Sequence, residues 1–203
     1  MEIVSFSNWT MLVVTGVHKL APCQPSSPPP PAIEPAAPMI ARTERIVIDR
    51  PPAEVARHVV EAELATQVLA TRRLPGVVGV TLLTAGPWGS PGGRRIVRLS
   101  DGSQTTEQVL DRTAELFRYQ VWDYTTAAAR PIAYALGEFR FTALDAGRTE
   151  LVWTYAFRLR PDIFPGRLGG LGRWLMKAAF LDTAYADLMR TALAAIKAGV
   201  ERG

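Results

Sequence analysis

The residues best placed to do chemistry flank a single turn. In RRIVRLSDGSQTTEQVL, residues 94–110, apolar and polar side chains alternate on both sides of Ser100-Asp101-Gly102-Ser103. Period-two alternation puts Arg95 on one face with Val97 and Leu99, and Glu107 with Val109 on the following strand. Leu110, on the opposite face, runs against the second assignment. Both charges therefore fall on the more apolar side of a hairpin. A lone buried charge is costly, but opposite charges on neighbouring strands compensate each other, and a guanidinium suits a carboxylate in a two-pronged contact. The pair is expected to point into a cavity. There it is either a structural ion pair closing one end of the interior, or a ligand site. In the second case Arg95 holds a carboxylate, enolate or carbonyl, and Glu107 tunes Arg95 or acts as a base.

The same alternation directs Leu151, Trp153, Tyr155, Phe157 and Leu159 inward, together with Phe139 and Phe141, and Phe117, Tyr119 and Val121. Tyr119 and Tyr155 offer hydroxyls to a ligand oxygen, or else are core aromatics; Phe139, Phe141 and Trp153 supply apolar lining. His58 lies beside Val55, Val59 and Val60, so a structural histidine is expected, with a proton shuttle as the alternative. Trp88, in AGPWGSPGG, is a candidate entrance lid. No nucleophile–His–carboxylate set is readable. GRLGGLGR, residues 166–173, lacks both the P-loop ending and the dinucleotide spacing. It is expected to be a flexible hinge before the last helix, with the segment from Trp174 forming an apolar lip.

Composition excludes several classes. The 203 residues are 48% apolar and 21% charged, values of a soluble globular protein. The net charge is +4, but the arginines are scattered among acids rather than gathered in a stripe, so nucleic acid is not an expected partner. One cysteine, Cys23, rules out an internal disulfide, and with only His18 and His58 no structural zinc site can be built from the usual ligands. No metal and no cofactor is expected.

These side chains need a scaffold. A strand is expected at Glu44–Ile48, then a helix at Ala53–Glu61 opened by Pro51-Pro52, and a second helix around Ala62–Ala70. Strands follow at Gly76–Leu83, Arg94–Ser100, Thr105–Arg112, Leu116–Tyr124, Ile132–Leu144 and Thr149–Leu159, an antiparallel meander. A long helix closes the chain, about Leu171 to Glu201. Leu181, Tyr185, Leu188, Ala192 and Ile196 share one of its faces, which places Tyr185 against the sheet.

This order resembles the START-like (SRPBCC) superfamily, which includes the birch-pollen-allergen-like and polyketide cyclase/dehydrase proteins. The resemblance covers about residues 42–200. It is carried by TERIVIDRPPAEVARHV, GGRRIVRLSDG with TTEQVLD, LFRYQV, and DAGRTELVWTYAF, where Trp153 stands at the family's tryptophan. It implies an α+β helix-grip fold, a curved antiparallel sheet of about six to seven strands wrapped around the C-terminal helix. It also implies a deep, mostly apolar cavity, with an Arg and a Glu at places matching Arg95 and Glu107. Family members bind lipids, sterols, polyketides, plant hormones and other aromatic molecules; a minority cyclise or dehydrate polyketide chains. The expected partner is a small hydrophobic ligand, contacted by Arg95, Glu107, Tyr119, Phe139, Phe141, Trp153, Tyr155 and Tyr185. Cyclase/dehydratase chemistry and a protein-interaction or stress-response module are the alternatives.

Residues 1–38 stand apart. Ile3–Val17 is apolar but short of the ~20 residues a spanning helix needs, and Glu2 replaces a basic head. PCQPSSPPPPAIEPAAP favours extended polyproline structure and is expected to take no part in a core. The leader is expected to be disordered, either a weak membrane anchor or an artefact of start-site choice with translation from Met39. A cytoplasmic domain is expected over residues 39–203.

Overall fold

The alternating segments become one sheet. Seven strands are present in the computed structural model, which describes residues 27–203: β1 (Ile40–Ile48), β2 (Val77–Leu82), β3 (Arg94–Leu99), β4 (Gln104–Arg112), β5 (Leu116–Trp122), β6 (Ile132–Asp145) and β7 (Arg148–Leu159). Their spatial order is β1-β7-β6-β5-β4-β3-β2, and every pairing is antiparallel. Between β1 and β2 lie α1 (Pro52–Glu61) and the single turn α2 (Leu64–Gln67), much shorter than the expected second helix. The C-terminal helix runs as α3 (Gly170–Met176), a π-helical stretch (Lys177–Tyr185) and α4 (Ala186–Arg202). This is the α+β helix-grip arrangement. Among the described residues no helix is long and apolar enough to cross a membrane. The apolar stretch Ile3–Val17 and the surroundings of Cys23 lie outside the described residues.

Alternation holds along β7, where Leu151, Trp153, Tyr155, Phe157 and Leu159 are all buried. α4 covers this inner face with Leu188, Met189, Ala192, Leu193 and Ile196, and the core forms between helix and sheet. Three departures have local causes. The β4–β5 register slips between Val109 and Asp111, so Leu110 sits at a bulge; that explains its conflict with the alternation. Asp123 has φ of 59° and ends the alternation after Trp122. The third lies in the first turn of α3, where a Cβ on Gly172 would collide with the Pro165 carbonyl. Glycine there permits close packing of backbone on backbone.

The second half of the proline-rich run departs further from expectation. Residues 27–34 lie extended across the outer face of the sheet and make contacts from β3 to β7. Trp122 Nε1 donates to the Pro28 carbonyl at 3.1 Å, Gln120 Nε2 to the Pro31 carbonyl at 2.8 Å, and the Glu34 amide to the Tyr134 hydroxyl at 3.3 Å. Arg94 also donates to the Pro28 carbonyl at 3.0 Å, and Arg158 pairs with Glu34 at 3.3 Å.

Gly137, in the middle of β6, is paired with Tyr119 on one side and Tyr155 on the other. A Cβ there would run into the Tyr119 ring, so the missing side chain is the space that ring occupies. Gly137→Ala is expected to destabilise the fold by about 1–3 kcal/mol, as overpacking does. A urea denaturation midpoint equal to that of the parent chain would contradict this.

Candidate functional site

Inward-facing residues of β2 to β7, α1, α2 and the segment after it, and one side of the C-terminal helix line a partly open cavity of about 520 Å3. Seven of the eight expected site residues border it: Arg95, Glu107, Tyr119, Phe139, Trp153, Tyr155 and Tyr185. Phe141 does not. It is 2% exposed and pairs with Leu151, and at that level the interior is filled core. His58 does not border the cavity either. It packs against Gly199 of α4, and burial, aided by the nearby Arg202 charge, lowers its pKa, as suits a structural histidine.

Arg95 and Glu107 are directly opposite in the β3–β4 register. They are 8% and 9% exposed, so the hairpin sets both charges inside. Arg95 Nε donates to Glu107 Oε2 at 2.7 Å, and Nη2 lies 2.6 Å from the same oxygen. Because both contacts converge on one oxygen, Arg95 Nη1 and Glu107 Oε1 keep free valences among the described residues. Trp88 covers the guanidinium, its ring centroid 3.7 Å from Cζ, a cation–π contact. It also meets Phe117 edge-on at 6.3 Å. The loop tryptophan thus roofs the ion pair.

Aromatic rings continue the wall. Tyr119 stacks between Phe117 and Phe139, and Phe139 stacks on Trp153 at 5.0 Å. Tyr185, from the π-helical stretch, meets Tyr155 and Phe157, each at 4.9 Å. Burial pushes the hydroxyls of Tyr119, Tyr124, Tyr155 and Tyr185 well above the ordinary phenol value, and the Glu107 carboxylate adds to the effect at each. These phenols stay neutral and can donate hydrogen bonds.

Two buried polar atoms of the wall, Tyr124 Oη and Trp153 Nε1, make no well-formed hydrogen bond among the described residues, although the hydroxyls of Tyr155 and Tyr119 lie close enough to interact with them. Buried polar groups are nearly always paired, so such atoms mark where a bound molecule or water belongs. Strand reasoning missed Tyr124, since strict alternation sends it outward with Trp122. The left-handed turn at Asp123 brings it in, and an Asp before an aromatic at a strand end is only a faint signal of that. Met176, the last residue of α3, and Phe180 were also missed; Phe180 borders the cavity from the π-helical stretch, where α-periodicity does not apply.

Two outcomes follow. Glu107→Leu leaves Arg95 buried without its counter-charge and is expected to cost about 3–5 kcal/mol, whereas Arg95→Met with Glu107→Leu restores stability to near the parent value. Urea unfolding of both variants checks this; a harmless single substitution would contradict it. The second concerns pH. Phenols whose pKa is raised by folding keep their protons after unfolded tyrosines, near 10, have lost theirs. Stability is therefore unaffected by them below pH 10 and falls above it. Of the five tyrosines, at least these four should show phenolate absorbance only as the fold is lost; ionisation of the four in the folded chain would refute their burial.

Comparison with known proteins supports the same architecture. The family described as polyketide cyclase / dehydrase and lipid transport matches residues 39–201. No curated protein matches the chain. Among solved structures, the Zhui aromatase/cyclase from Streptomyces sp. R1128 is 21% identical over 81% of this chain and 94% of its own, with a TM-score of 0.53. Norcoclaurine synthase from Thalictrum flavum, in complex with dopamine and hydroxybenzaldehyde, is 9% identical over 81% of this chain and 87% of its own, TM-score 0.54. The di-domain aromatase/cyclase BexL of the BE-7585A biosynthetic pathway is 24% identical, TM-score 0.55; the match covers 80% of this chain and 50% of that longer one. At these identities the structures share the fold, while the sequence match over residues 39–201 goes further: the chain belongs to the polyketide cyclase/dehydrase and lipid transport family.

Proposed function

We propose that the chain binds a small, mostly apolar molecule carrying an aromatic or polyketide-like skeleton and at least two oxygen functions. The observation that carries this is the set of under-satisfied polar atoms in an aromatic wall: the free valences of Arg95 and Glu107, with Tyr124 Oη and Trp153 Nε1, which make no well-formed hydrogen bond among the described residues. Trp153 Nε1 can only donate, so the ligand brings an acceptor to it. Arg95 Nη1 favours an acidic or carbonyl oxygen. The volume lies within the roughly 300–1,000 Å3 of small-molecule sites. The small aromatic molecules named in the complex of norcoclaurine synthase support the same ligand class.

A catalytic role is the second reading, and Glu107 favours it. It is a buried carboxylate with one free oxygen, beside a guanidinium able to stabilise an enolate. The neutral phenols act as donors to the substrate in this scheme, and any proton abstraction falls to Glu107.

Native mass spectrometry of the chain purified from its own host, followed by organic extraction, tests the binding role. A bound species rich in aromatic carbon and oxygen is expected. The same experiment on the Arg95→Met, Glu107→Leu double variant should show it lost, and 1-anilinonaphthalene-8-sulfonate, an aromatic anion, should bind the variant at least about tenfold more weakly, a 1.4 kcal/mol difference. An empty protein with no affinity for the probe sinks the proposal.

A further inference from the structure

The outer face of the sheet carries a second built site, and its ligand is already in place. Sheet faces turned to solvent are usually polar and wet. Here the outer face of β3–β6 includes Trp122, Gln120, Thr106 and Tyr134, all 3% exposed or less. Hydrogen bonds secure residues 27–34 to it at Ser27, which meets Thr106 and Arg94, and then at Pro28, Pro31 and Glu34. From Pro28 onward the interval is three, the number of residues per turn of a polyproline helix, so one edge of such a helix faces the sheet. Four consecutive prolines, Pro28–Pro31, fix the backbone in that form before it binds.

The dimensions agree. From β3 to β7 there are four inter-strand gaps, about 19 Å at the usual spacing. The seven steps of polyproline helix from Ser27 to Glu34 span about 22 Å. The chemistry agrees as well. Proline-rich segments lack amide donors and present carbonyls, and this face meets them with donors: the indole of Trp122, the amide of Gln120 and the guanidinium of Arg94. Arg94 also lies 5.4 Å above the Trp122 ring, and its Nε is buried with no partner among the described residues.

We propose that the outer face of β3–β6 is a recognition site for polyproline helices, held in this chain by its own residues 27–34. The site reads backbone groups, the carbonyls of Pro28 and Pro31 and the amide of Glu34, rather than the identity of the residues between them. It accepts in trans a proline-rich segment of the same spacing whenever the tethered one is displaced. Attachment in cis gives the chain's own segment an effective concentration in the millimolar range, so a free peptide competes poorly while that segment is intact. The proposal is independent of what fills the cavity.

The test uses the full chain and a fluorescein-labelled peptide, QPSSPPPPAIEPAAP, residues 24–38. In one variant Pro28–Pro31 are replaced by Gly-Ser-Gly-Ser, which unseats the strap without shortening the chain. This variant is expected to bind the peptide with saturation at one equivalent, and the parent chain at least about tenfold more weakly. Adding Trp122→Phe, which keeps a ring but removes the donor, should weaken peptide binding at least about fivefold. No saturable binding, equal binding by the parent chain, or indifference to Trp122→Phe each overturns the proposal. Should the four-residue replacement fail to fold, Gln120→Ala in the otherwise native chain decides: proteinase K cleavage near Ala32–Ile33 should rise at least about tenfold with the far-ultraviolet spectrum unchanged. Cleavage at the parent rate overturns it.

Discussion

A carboxylate and a guanidinium that share under a tenth of their surface with water survive only if the chain holds them in register, and much of this structure serves that requirement. The β3–β4 pairing sets Arg95 opposite Glu107. The Asp101-Gly102 turn fixes that pairing, and Trp88 closes the open side of the guanidinium. The phenols beyond the pair remain neutral, so no competing anion enters the wall. With the field of one charge cancelled by the other, the rest of the interior can be apolar and still contain an oriented dipole. That combination lets a greasy molecule be bound in one orientation.

The two faces of the sheet are joined through single peptide bonds. Arg94 touches the strap and Arg95 borders the cavity; the same holds for Thr106 and Glu107, Gln120 and Tyr119, and Trp122 and Val121. Strand alternation makes this unavoidable, since neighbours in sequence face opposite sides. β3, β4 and β5 are therefore held from outside at the residues adjacent to those that line the inside. Gly137 adds a constraint from β6, by leaving the space that the Tyr119 ring fills.

The fold was legible wherever a residue obeyed a simple period. All seven strands, the inward arginine and glutamate, and the face formed by Leu181, Leu188, Ala192 and Ile196 follow from periods of two and 3.6. Departures from period were not legible. The bulge at Leu110, the left-handed Asp123 and the π-helical stretch each change which side chains face inward, and none has a strong local signature. Phe141 shows another limit: alternation says which way a side chain points, but not whether the space before it is empty or filled. The strap was hidden for a different reason. Composition marks a run expected to take no part in a core, yet Trp122 and Gln120, almost a hundred residues away, supply the surface on which residues 27–34 lie.

That separation has a consequence for how the molecule is made. Contacts of residues 27–34 join positions 66 to 124 residues apart, and β1 pairs with β7 at the far end of the meander. A ribosome releases the strap and β1 before the other strands, and their partners on β5, β6 and β7 follow only after most of the chain has been translated. The earliest segments to emerge must wait unpaired, and the loops that bring them home are long, which slows closure. Four prolines in a row are well suited to that wait: they stay stiff and soluble and offer no amide edge to which a neighbouring nascent chain can add a strand.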